Sequence, residues 1–69
     1  MTTRYTERTV RKASQWVKIT RDNQCKRFTF ARGYDSSTAA HEVETYSFRW
    51  IPNWTDAIDR ANMKIDTYA

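Results

Sequence analysis

The stretch that decides the fold runs from residue 14 to residue 32. It reads Ser14-Gln15-Trp16-Val17-Lys18-Ile19-Thr20-Arg21, then Asp22-Asn23-Gln24, then Cys25-Lys26-Arg27-Phe28-Thr29-Phe30-Ala31-Arg32. Both flanks alternate and are rich in β-branched and aromatic residues, which suits a pleated, half-buried strand. Asp and Asn between them tolerate left-handed backbone and bond locally to it, so the middle reads as a turn. The whole is predicted to be a β-hairpin. Successive side chains point to opposite faces of a strand. Val17, Ile19, Phe28 and Phe30 therefore share an apolar face, and Trp16, Lys18, Thr20, Arg27, Thr29 and Ala31 lie opposite.

Downstream, Gly33-Tyr34-Asp35-Ser36-Ser37 is a run of turn formers. In Glu42–Ile51, Tyr46, Phe48 and Trp50 alternate with Thr45, Ser47 and Arg49. A helix capped by Ser37, with Ala40, Val43, Ser47 and Trp50 near helical spacing, is the competing reading. The crowding of β-branched and aromatic residues at 43–51 favours a third strand. Pro52-Asn53 then breaks the chain. Asn53 is a good N-cap, and Trp54, Ala57, Ile58, Ala61, Ile65 and Tyr68 recur at 3.6-residue spacing. The apolar stripe of this helix needs a partner, and the apolar face of the strands supplies one. The predicted architecture is α+β: a three-stranded antiparallel sheet with one C-terminal helix packed across it, in the order β-β-β-α.

Sixty-nine residues make one domain at most. Residues 13–69 are assigned to it, and residues 1–12 to a basic, flexible N-terminal arm, because they are polar with few apolar positions. Cys25 is the only cysteine, so a disulfide within the chain is excluded and a reducing, cytoplasmic setting is expected. No apolar run approaches a membrane span or a signal peptide.

Charge divides the sequence unevenly. Arg4, Arg8, Arg11, Lys12, Lys18, Arg21, Lys26, Arg27 and Arg32 face only Glu7 and Asp22 in residues 1–32, a net +7. Residues 33–69 carry −3, and the chain +4. Such asymmetry bears on partners and not on fold.

Residues suited to catalysis are few. His41 lies beside Glu42 and near Glu44, but one His and one Cys fall short of the four ligands of a closed zinc site. Cationic neighbours lower a thiol pKa, yet no base adjoins Cys25 in sequence. A single glycine cannot build a phosphate-cradling loop. No enzyme activity, metal or cofactor is expected. The interleaving of cations with aromatic and hydroxyl side chains carries more information. Cations meet phosphates, and tryptophan stacks on bases. The sequence thus points to a small binding protein for DNA or RNA. Its expected contacts are Trp16, Lys18, Arg27 and Arg49 on the sheet face and Arg4, Arg8, Arg11 and Lys12 on the arm. The alternative is an inhibitor or adaptor of the kind small phage or plasmid genes encode, aimed at a host nucleic-acid-processing complex. Asp35, Glu42, Glu44 and Asp59 would then engage a basic groove on that host protein. Self-association through an exposed sheet edge, giving a homo-oligomer, is compatible with either.

Overall fold

The structure is a computed structural model and describes residues 4–68, with the side chain of Tyr68 outside the description. Four strands, β1 (Tyr5–Lys12), β2 (Gln15–Asp22), β3 (Arg27–Tyr34) and β4 (Glu42–Ser47), form an antiparallel meander in the order β1-β2-β3-β4. One helix, α1 (Trp54–Tyr68), follows. The α+β class, the antiparallel sheet and the C-terminal helix agree with the sequence reading, but the sheet has four strands where three were expected.

The extra strand is β1, made of the residues assigned to the arm. It pairs along its whole length with β2, from Tyr5 opposite Asp22 to Lys12 opposite Gln15. Its turn is Ala13-Ser14, and both residues have positive φ, 54° and 60°. This is the backbone of a two-residue type I′ turn, which Asn-Gly adopts best. Replacing Ala13 by Asn together with Ser14 by Gly is expected to stabilise the domain by about 1 kcal/mol, since the left-handed conformation then costs little. Urea denaturation of the double variant against the parent checks this.

The third predicted strand is shorter than expected. Pairing with β3 ends at Arg27 opposite Ser47, and residues 48–50 turn away from the sheet. Phe48 folds inward against Phe28, with ring centroids 5.2 Å apart. Trp50 is left 76% exposed and Arg49 lies off the sheet. The predicted loop at 33–37 also starts late, because Gly33 and Tyr34 still pair with β2.

Helix α1 starts as its sequence dictates: Asn53 Oδ1 accepts the Asp56 backbone N–H at 2.9 Å. The helix crosses β2 and β1. Val17, Ile19, Phe28 and Phe30 from the sheet meet Ala57, Ala61 and Ile65 from the helix, all at most 1% exposed. Two small alanines let the helix approach the sheet closely, and Trp54 closes the end of the core edge-on to Phe28. Ile58, at the margin of the stripe, is only partly buried. No helix of the described residues is long and apolar enough to cross a membrane.

Candidate nucleic-acid interface

Alternation along the strands gives the sheet two chemically distinct faces. The face away from α1 carries Trp16, Lys18 and Thr20 from β2 and Arg27, Thr29 and Ala31 from β3, with Val43, Thr45 and Ser47 from β4. Thr9 and Arg11 of β1 share it, because they lie opposite Lys18 and Trp16. Lys18, Arg27 and Trp16 thus occupy one surface, as their parity implied. Arg8 and Lys12 do not. They point to the helix side, where the Arg8 guanidinium sits 4.9 Å over the Trp54 ring and Lys12 reaches Asp66 at 2.7 Å. Arg4 binds Asp22 at 3.5 Å beside the β2–β3 turn.

Trp16 is held in a fixed orientation. Its indole N–H donates to the carbonyls of Tyr34, at 3.1 Å, and Ser37, at 3.4 Å. One side of the ring lies on Gly33, where any Cβ would collide with the indole. Only glycine permits so close an approach.

The charge split along the sequence is not the charge split in space. The meander returns each strand to its neighbour, so basic and acidic segments meet. Among the described residues, six of the eight side-chain carboxylates pair with a cation: Glu7, Asp22, Asp35, Glu42, Glu44 and Asp66. Six cations are engaged in return. Three more, Arg8, Arg21 and Arg60, lie over aromatic rings. Lys26, Arg27 and Arg49 make no ion pair, side-chain hydrogen bond or ring contact among the described residues.

These three are exposed and adjacent in the chain fold. Arg27 faces Ser47 across the β3–β4 ladder, and the Phe48 amide donates to the Lys26 carbonyl at 2.9 Å. They mark the β2–β3 turn end of a molecule with a long dimension of 35 Å. Arg4 and Arg21 belong to the same end, where Arg4 pairs with Asp22 and Arg21 lies over the Phe48 ring. At the other end Arg11, Lys12, Arg32 and Lys64 are cancelled by Asp35, Asp66, Glu42 and Glu44. Asp22 is itself largely internal to its turn. Its carboxylate accepts the backbone N–H groups of Cys25 and Gln24, and the Cys25 bond foremost, with Arg4, holds its pKa below the usual range. Sequence reading omitted Lys26 because its isolation depends on where β4 ends.

Three of the four acidic residues of the alternative reading are paired within the fold. Glu42 meets Arg32 at 3.6 Å and Lys64 at 3.3 Å. Glu44 meets Lys64 and accepts the Tyr46 hydroxyl at 2.7 Å, and Tyr46 in turn accepts from Arg60 at 2.8 Å. Asp35 pairs with Arg11. Asp59 alone of the four is exposed without an ion pair among the described residues. The Lys64 hydrogen bond, then that of Tyr46, brings the Glu44 pKa down to about 2. Burial works against the Lys64 charge, but the two carboxylates override it and raise its pKa.

A carboxyl depressed by folding stabilises the native state above its unfolded pKa, near 4.3, and loses that contribution as pH falls towards its folded pKa. Thermal stability is therefore expected to drop between about pH 4.5 and pH 2. Solvent reaches a third of Glu44 and screens the pair, so its share is about 1 kcal/mol. Glu44→Gln is expected to flatten that part of the profile in melts followed by circular dichroism.

His41 is exposed, with its ring 4.9 Å from that of Tyr34, and Cys25 is exposed in the turn. Among the described residues no group of three or more His, Cys, Asp or Glu side chains is placed to hold a metal ion. No protein-family model matches the chain, and no curated protein or solved structure is significantly similar to it.

Proposed function

We propose that this chain is a small non-enzymatic binding protein for nucleic acid, docking through the β2–β3 turn end and the adjoining open face of the sheet. The observation that carries this reading is the cluster of Lys26, Arg27 and Arg49, exposed cations with no ion pair, side-chain hydrogen bond or ring contact among the described residues. Cations that stabilise a fold are paired or stacked, and nine of the twelve here are. The remaining three contribute self-repulsion unless an external anion meets them. Trp50, the most exposed large apolar side chain among the described residues, follows Arg49 in the chain but stands beside Tyr46 and Arg60 on the helix side of β4, so it adds nothing to the open face.

Two further features extend the contact area. Lys18 is bound to Glu7 at 3.2 Å and Arg11 to Asp35 at 3.4 Å, but each partner is about half exposed or more. Exposed pairs of this kind are worth at most about 1 kcal/mol, so a phosphate can exchange for the carboxylate. Hydroxyls of Thr20, Thr29 and Thr45 cross the sheet between them and Arg27. The alternative, docking of an acidic surface on a basic host protein, draws less support, because Glu42, Glu44 and Asp35 are neutralised within the fold.

Binding of a labelled oligonucleotide across a salt series tests the reading. Affinity is expected to fall steeply with salt, since each phosphate neutralised releases counterions. Absence of binding at low salt rejects it.

A further inference from the structure

The open face contains a depression of about 280 Å³ at the end remote from the cation cluster. Its apolar wall is the Trp16 ring, and Lys18 and Arg11 flank it. Asp35, Ser37 and Thr38 rim it from the loop after β3, and Thr9 from the edge strand. The indole lies on the face away from the core, where its N–H also ties down the loop after β3. The ring is fixed by two carbonyl acceptors and by a glycine that no other residue could replace without displacing it.

We infer that this depression takes one unstacked base of a single-stranded nucleic acid, a deepening that rests on the nucleic-acid reading above. The chemistry of the walls matches the parts of a nucleotide. A flat ring stacks on the indole at little entropic expense, because the indole is already immobilised. The Asp35 carboxylate and the Ser37 and Thr38 hydroxyls suit the amino and imino donors of a base edge. Lys18 and Arg11 suit the phosphates on either side of it. A duplex cannot use such a site, since its bases are stacked on each other and present only their edges in the grooves. Six residue steps along β2 lead from Trp16 to Asp22, about 20 Å of strand. A single strand therefore runs from the cations at the turn, over the threonines and Lys18, to end with a base against Trp16.

The test compares a short labelled single strand of mixed sequence with the same sequence as a duplex, at low salt. The variants are Trp16→Ala and the double substitution Thr9→Leu with Thr38→Leu. The second fills the depression with aliphatic side chains from two exposed positions, leaves Trp16 in place and changes no charge. The parent is expected to bind the single strand more tightly than the duplex. Both variants are expected to lose about tenfold on the single strand and to keep their duplex affinity. Circular dichroism melts confirm that the double variant is folded. Unchanged single-strand affinity in the folded double variant overturns the base site. So does equal affinity of the parent for both probes, although binding itself would then stand. If the parent binds neither probe, the nucleic-acid reading falls and the base site falls with it.

Discussion

Phe28→Ala is expected to unfold most molecules at 25 °C. Phe28 is fully buried and is the hub of the aromatic cluster. Its ring lies 6.5 Å from Phe30, 5.2 Å from Phe48 and 5.2 Å from Trp54 by ring centroids. The Arg21 guanidinium covers its remaining side at 5.9 Å. These neighbours come from β2, β3, the turn after β4 and α1, so they cannot collapse together into the space left by a benzyl group. Truncation of a buried phenylalanine costs about 3–5 kcal/mol. A core of this size supplies a net stability of about the same amount. Urea denaturation monitored by circular dichroism reads the effect. Thr29→Ala, one residue away on the open face, is expected to shift stability by about 0.5 kcal/mol or less. A native melt for the Phe28 variant would mean that the helix and sheet are not joined through this cluster.

The second large effect concerns binding. Reversing Lys26, Arg27 and Arg49 together to Glu is expected to lower oligonucleotide affinity by about a hundredfold or more at moderate salt. Three phosphate contacts contribute a slope of about 2 to 3 in the logarithmic salt dependence, and reversal replaces attraction with repulsion. The same variant is expected to melt within a few degrees of the parent, because the three side chains are exposed and make no ion pair, side-chain hydrogen bond or ring contact among the described residues. Charge reversal at Arg8 and Lys12 serves as a comparison. Those side chains serve Trp54 and Asp66, so reversal there is expected to reduce stability more than binding.

Much of this fold was legible in the residues of β2 and β3. Their alternation reports directly which side chains are buried, and the structure puts Val17, Ile19, Phe28 and Phe30 in the core with Lys18 and Arg27 opposite. The helix was legible for the same reason, from the Asn53 cap and the spacing of Ala57, Ala61 and Ile65. Strand β1 was not. It is an edge strand with α1 crossing its inner side, so Val10 is its one partly buried side chain, and the rest are exposed and mostly polar. Its Ala-Ser turn also lacks the glycine or asparagine that announces a type I′ hairpin. The end of β4 escaped because Tyr46, Phe48 and Trp50 alternate in sequence as a strand does. The packing of Phe48 on Phe28 and a turn closed by the Trp50 and Ile51 amides on the Ser47 carbonyl take the chain away from the sheet.

The site was legible in part. Parity alone joins Trp16, Lys18 and Arg27 on one surface. The pairings that remove Arg8, Lys12, Glu42 and Glu44 from it span long separations, as between Lys12 and Asp66, and depend on the strand order. Composition therefore located an excess of positive charge without showing where it is left unbalanced. The fold moves it from one half of the sequence to one end of the sheet.

Titration of the isotope-labelled protein with a short single strand, followed by amide chemical shifts, probes that location residue by residue. The largest changes are expected at residues 23–27 and 48–50, continuing along the open face through Thr29, Lys18 and Trp16. Changes confined to the outer side of α1, or to the groove between α1 and β4 beside Met63, would contradict it.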